Sequence, residues 1–134
     1  MALVQIENVS KIYQTGDIEI MALNDINLSI EKSSFVSFVG PSGSGKTTML
    51  NIIGCLDKPT GGKILVDGNS VDRFNRQKKA RFRGEMIGFI FQSFNLFPVL
   101  TAYENIEYPL VMIKNEPAEK REEMVLNLLD SVDM

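Results

Sequence analysis

The chain has 134 residues, with 14 Lys and Arg against 17 Asp and Glu and a net charge of −3. That length suits one domain with its own core, and 44% hydrophobic with 23% charged residues excludes a largely disordered chain. No stretch approaches the roughly 18 unbroken apolar residues of a membrane-spanning helix, and the lack of any histidine excludes imidazole chemistry within these residues.

The N-terminus, Met1 to Glu7, lacks a basic start followed by a long apolar run, so no secretory signal is expected. Leu3, Val4, Ile6 and Val9 predict a first strand, and Ile26, Leu28 and Ile30 alternate with polar neighbours as a second. Phe35 to Val39 is a mostly apolar run, expected as a strand covered on both faces. A glycine- and serine-rich loop begins at Gly40. From Lys46, the spacing of Met49, Leu50, Ile52 and Ile53 predicts a helix that stops at Gly54. Cys55 is the single cysteine; it cannot form an internal disulfide, which fits a reducing compartment.

Gly61-Gly62 reads as a turn, Lys63 to Val66 as a strand, and Asp67-Gly68 as the next turn. Arg73, Arg76, Lys78, Lys79, Arg81 and Arg83 form a basic stretch, interleaved only by Phe74 and Phe82. A solvated helix face is the expected reading, and no nucleic acid partner is expected. Met86 to Phe91 is another candidate strand, leading into Gln92. Met124, Val125, Leu128, Leu129 and Val132 share one face of a final helix, with Pro117 near its start. The coarse order is α/β.

One segment carries chemistry of its own. Gly40-Pro41-Ser42-Gly43-Ser44-Gly45-Lys46-Thr47 matches G-x-x-x-x-G-K-[ST], follows an apolar run and opens a helix. Glycines let successive N–H groups turn inward as a nest for phosphate oxygens, and the helix adds the positive end of its dipole. Lys46 would reach the β- and γ-phosphates, and the Thr47 hydroxyl would ligate Mg²⁺ bridging them. Asp67 ends an apolar strand, as a magnesium-side acid often does, but Asp67-Gly68 is also a hairpin dipeptide.

Beyond this loop, the chain resembles the N-terminal part of an ABC transporter ATPase subunit, of the lipoprotein-release and macrolide-export type. The resemblance runs from about Val4 to Val132. It rests on Val9-Ser10-Lys11-Ile12-Tyr13, on Gly40 to Thr48, on Asn51 to Thr60, and on Ile87 to Leu96 continuing through Thr101-Ala102-Tyr103-Glu104-Asn105-Ile106. It implies a P-loop NTPase core, incomplete over residues 1–134, with an N-terminal antiparallel β subdomain and the start of the helical subdomain. It implies ATP and Mg²⁺ as ligands, with Tyr13 stacking on adenine and Gly40 to Thr48 holding the phosphates. Thr48 would add a hydroxyl beside the magnesium ligand Thr47. Gln92 would contact Mg²⁺ or the attacking water, and an amide, which both donates and accepts, suits that role. Phe94 and Phe97 are contact candidates for a permease, although core packing explains them equally well. The implied partners are a transmembrane permease subunit and a second ATPase subunit, and the implied place is the cytoplasm, peripheral on the inner face of the cell membrane.

The sequence departs from the family in what it lacks. No Leu-Ser-Gly-Gly-Gln signature, no Asp-Glu pair and no switch histidine occurs in these residues, and Ser33-Ser34 stands where a Gly-Glu turn is usual. ATP in the family is sandwiched between one subunit's phosphate loop and the other's signature. Without the signature and the general base, the expectation for this chain alone is ATP binding with turnover near background. In the family, further strands lie between the phosphate-loop strand, Phe35 to Val39, and the strand before Gln92. Those strands are not among these residues, so unpaired edges are expected to make a marginally stable molecule that self-associates or rearranges. A non-catalytic nucleotide- or permease-binding module is the alternative, and a different P-loop NTPase that uses Asp67 is a third reading.

Overall fold

The structure is a computed structural model that describes residues 2–134. The chain divides into two compact units, Met1–Gly88 and Phe89–Met134. The first unit is built on a four-stranded antiparallel sheet in the order β2-β1-β3-β4. Its strands are β1 (Ala2–Thr15), β2 (Ile18–Glu31), β3 (Gly61–Val66) and β4 (Asn69–Ser70), and its helices are α1 (Lys46–Ile53) and α2 (Arg76–Met86).

The uneven apolar spacing of the first strand has a local cause. Val4 and Ile6 point to the core with the period of two that a strand imposes, and the next inward position would be residue 8. Asn8 instead adopts φ +50, and the pairing register shifts on both sides of β1 between Ile6 or Glu7 and the following partners. This bulge returns Val9, rather than residue 8, to the core, where it is fully buried. Asn8 suits the left-handed backbone, and its side chain donates to Asp25 Oδ1 at 2.8 Å. Gly62 lies opposite with φ +88, and a Cβ there would collide with the Asn8 carbonyl. Gly61-Gly62 is thus the start of β3 against a bulge, not the turn that the dipeptide suggested.

One face of the sheet buries Val4, Ile6, Val9, Leu23, Ile64 and Val66 against Met49, Ile52 and Cys55, with Val71, Phe74 and Phe82 closing the cluster. Fully burying Ile52 or Ile64 contributes about 2–3 kcal/mol each. Phe74 and Phe82 meet edge to face with centroids 5.5 Å apart. The basic stretch therefore contributes to the core. Asn75 caps α2 by accepting from Lys78 N at 2.8 Å, Arg81 and Glu85 pair on its exposed side, and Lys79 is buried. Lys79 Nζ donates to the Asp57 carbonyl at 3.0 Å and Arg83 Nη1 to the Cys55 carbonyl at 2.9 Å. Two cations thus satisfy carbonyls just past the end of α1, where its dipole favours positive charge.

Two expected strands do not form. Phe35 to Val39 is irregular, with Phe35 and Val39 exposed, and residues 87–91 have no ladder partners among the described residues after α2 ends at Met86. Apolar composition makes a segment able to be a strand, but a ladder needs a partner segment, and among the described residues neither stretch joins the four-stranded sheet. Ser33, in the turn after β2, carries the left-handed φ of +60 that explains why a glycine is usual nearby.

The second unit holds α3 (Ala102–Pro109), a π-helical turn (Leu110–Lys114) and α4 (Ala118–Asp130). Thr101 and Glu104 form a reciprocal capping box at the start of α3. The Thr-x-x-Glu spacing is the sequence signal that could have marked that boundary. Asn105 ties the preceding loop by accepting from Phe97 N at 2.8 Å and donating to the carbonyls of Phe97, Leu100 and Thr101. Arg121 Nε pairs with Glu107 at 3.0 Å, joining α4 to α3. On the apolar face of α4, Val125 is fully buried, whereas Leu128 is half-exposed and Val132 lies in the turn past the helix end, exposed. Pro117 is the N-cap residue of α4.

Candidate functional site

The loop from Gly40 to Gly45 ends at the N-terminus of α1, with Gly45 as the N-cap. Among the described residues no side chain caps that terminus, so its first N–H groups are left for an external acceptor. Gly45 has φ +87, and a Cβ there would lie 2.5 Å from the Ala22 carbonyl oxygen and 2.9 Å from Leu23 Cδ2. Only glycine lets the loop press against β2 this closely. Lys46 turns back across the loop and donates to the carbonyls of Gly40 (2.8 Å) and Pro41 (2.6 Å) and to Ser44 Oγ (3.2 Å). All three ammonium protons are used, so the cation sits over the nest that the glycines shape. Ser42 and Thr47 are exposed, Gly43 has φ +81 with open space where a side chain would be, and Thr48 is half-buried.

This donor set fits a polyphosphate: an ammonium, free helix-end amides and hydroxyls, with no carboxylate in the loop to repel it. It also fits Mg²⁺ delivered by phosphate oxygens, since Thr47 offers a neutral oxygen. Among the described residues no three His, Cys, Asp or Glu side chains gather as a metal site of their own.

Tyr13 lies on β1 opposite Ile20 of β2, two residues from Ala22, against which Gly45 packs. At about 3.3 Å per residue along a strand and 4.8 Å between strands, the Tyr13 backbone is roughly 8 Å from that contact. The structure thus brings Tyr13 and the phosphate loop to one end of the β1–β2 hairpin. Tyr13 is 37% exposed. Its hydroxyl donates to Asp57 Oδ2 at 2.8 Å, and Lys11 Nζ sits 4.7 Å from its ring centroid.

Asp57, Lys11 and Thr60 are neighbours to which no role was assigned from sequence. Lys11 Nζ donates to Asp57 Oδ1 and to the Lys58 carbonyl, each at 2.8 Å, and Ile12 N donates to Thr60 Oγ1 at 3.0 Å. Burial pushes the Asp57 carboxyl up, but hydrogen bonds from Lys11, the Lys58 N–H and Tyr13 outweigh it and hold the group below its ordinary value. Burial lowers Lys79 and raises the Cys55 thiol, which leaves Cys55 a packing residue. The signal for this cluster was Lys11 and Tyr13 at alternate positions, which puts both on one face of a strand.

The remaining sequence candidates lie elsewhere. Asp67 is in the β3–β4 hairpin at φ +45, its N–H donates to the Leu3 carbonyl at 2.7 Å, and its carboxylate meets Lys32 at 3.1 Å. Gln92 belongs to the second unit, exposed in a turn that precedes Phe94 and Asn95 at φ +60 and +53. Phe94 is exposed, and Phe97 packs on Tyr108 with centroids 4.9 Å apart.

A family model described as ABC transporter matches residues 23–134. The chain is 50% identical over 109 residues to MJ0796 of Methanocaldococcus jannaschii, described as an uncharacterized ABC transporter ATP-binding protein, covering 81% of this chain and 46% of that one. It is 44% identical over 119 residues to the macrolide export ATP-binding/permease protein MacB of Brucella abortus, covering 89% of this chain and 18% of MacB. A solved dimeric, post-hydrolysis structure of MJ0796 bound to ADP and Pi superposes with a TM-score of 0.87 at 44% identity, over 98% of this chain and 57% of that one. The chain thus spans about half the length of MJ0796 and much less of MacB.

Proposed function

The chain belongs to the ABC transporter ATP-binding family, a family of ATPases, and from that premise we propose that residues 1–134 are the nucleotide-gripping portion of a transporter subunit. The observation that carries this reading is Lys46, held by its own loop above an uncapped helix N-terminus. Gly40, Pro41, Ser42, Gly43, Ser44 and Gly45 wrap the phosphates, Lys46 exchanges loop carbonyls for phosphate oxygens, and Tyr13 stacks on the base. Thr47, with Thr48 beside it, holds Mg²⁺, whose charge neutralises the triphosphate. Gln92 is assigned to water or Mg²⁺ positioning on the family motif alone.

Titration calorimetry with Mg·ATP tests the reading. Replacing Lys46 by alanine removes an ionic hydrogen-bond donor, so the affinity falls about tenfold to a hundredfold. Equal affinity in the two proteins overturns it.

The rest of the biology is proposed on the same premise. Similarity to a macrolide export protein supports export through a transmembrane permease, and a dimeric MJ0796 supports pairing with a second ATPase subunit. Among the described residues no helix is long and apolar enough to cross a membrane, and the proposed place, peripheral on the inner membrane face through the permease, rests on the family premise alone. These 134 residues contain no signature motif and no Asp-Glu pair. By themselves they would bind ATP with turnover near background, and steady phosphate release that is lost in Lys46→Ala overturns that statement.

A further inference from the structure

We propose that Asp57 is a positioning residue that fixes the pose of the Tyr13 ring for stacking on a nucleobase; the proposal rests on Tyr13 being the base-stacking group. A tyrosine on a strand near a hairpin end has a ring free to swing about its side-chain bonds. Here the ring is held at both ends. Its backbone is in the β1–β2 ladder opposite Ile20, and its hydroxyl donates to Asp57 Oδ2 at 2.8 Å. The other carboxylate oxygen accepts from Lys11 Nζ at 2.8 Å and from the Lys58 N–H at 2.6 Å. Lys11 in turn stands 4.7 Å from the ring centroid, so the ammonium occupies one face and a flat ligand has the other.

Asp57 is itself tied to the phosphate-binding helix. Its N–H donates to the Asn51 carbonyl in α1 at 3.2 Å, and its carbonyl accepts from Lys79 at 3.0 Å. The helix that opens at the phosphate loop, about 12 Å long over its 8 residues, therefore closes beside the residue that anchors the ring. One rigid element sets the distance between the triphosphate grip and the base platform. Holding the ring in place before binding removes an ordering cost from association. The anchor therefore raises affinity for a nucleotide and does nothing for a phosphate chain without a base.

Calorimetric titration of the 134-residue chain with Mg·ATP and with Mg·tripolyphosphate separates the possibilities. Asp57→Ala and Tyr13→Phe are each expected to weaken ATP about threefold to tenfold, the scale of one partly exposed hydrogen bond. Combined, they should lose no more than Asp57→Ala alone, because the bond that Tyr13→Phe removes is already gone in Asp57→Ala. Tripolyphosphate affinity should stay unchanged in all three variants, which also reports that the loop remains folded. An equal loss for both ligands makes Asp57 a purely structural residue and overturns the proposal, as does an unchanged ratio of the two affinities. Additive losses in the double variant overturn it too. The reading beneath it fails differently: Tyr13→Ala without effect on ATP removes the base platform, and with it the role of Asp57.

Discussion

Alanine at Gly45 and alanine at Gly43 differ in one respect that the structure makes measurable. Both glycines have a left-handed φ, +87 and +81. That backbone costs an alanine about 1–2 kcal/mol at either position. Around Gly43 nothing lies within 4 Å of the added Cβ, whereas at Gly45 it would sit 2.5 Å from the Ala22 carbonyl oxygen and 2.9 Å from Leu23 Cδ2. The carbonyl belongs to β2 and cannot yield as a side-chain tip would, so α1 must move off the sheet. Overpacking of this kind adds about 1–3 kcal/mol. Gly43→Ala should therefore lower the unfolding free energy by about 1–2 kcal/mol and Gly45→Ala by about 2–5 kcal/mol. Urea denaturation followed by circular dichroism, with slopes that match the parent, reads the difference directly. Equal losses at the two positions would refute the close approach of the phosphate loop to β2.

Other expectations follow from single contacts. The native Asp57 carboxyl titrates below its ordinary 3.8. A depressed acid contributes stability that is whole above its unfolded value and is lost as pH falls through the native one. Acid titration should therefore release the 54–60 loop below about pH 4, and Asp57→Asn should flatten that part of the stability curve; an identical curve contradicts the assignment. Thr101→Ala removes the cap of α3, costs about 1 kcal/mol, and should speed hydrogen exchange at the Glu104 amide without affecting Mg·ATP binding. Phe35, Val39 and Ile90 are 96%, 92% and 103% exposed, so the chain should self-associate in sedimentation experiments. Serine at Phe35 and Val39 should raise the monomer fraction, and an unchanged distribution argues against those side chains as the contact.

What the order of amino acids determined by itself was local. The phosphate loop is contiguous, its chemistry depends on backbone freedom and one lysine, and α1 starts at Lys46 as the apolar spacing requires. The Asp67-Gly68 hairpin and α4 are of the same kind, since turn dipeptides and helical periodicity act over a few residues. Tertiary structure decided the rest, because partners distant in sequence cannot be read from spacing. Phe35 to Val39 has a strand's composition but, among the described residues, no ladder partner. Asn8 and Gly62 share a bulge across 54 residues of chain, and Asp57 reaches back 44 residues to Tyr13. A strand, a buried lysine or an anchored ring exists only when another segment supplies the complementary group. Periodicity reports which face a residue prefers and leaves open what it will meet there.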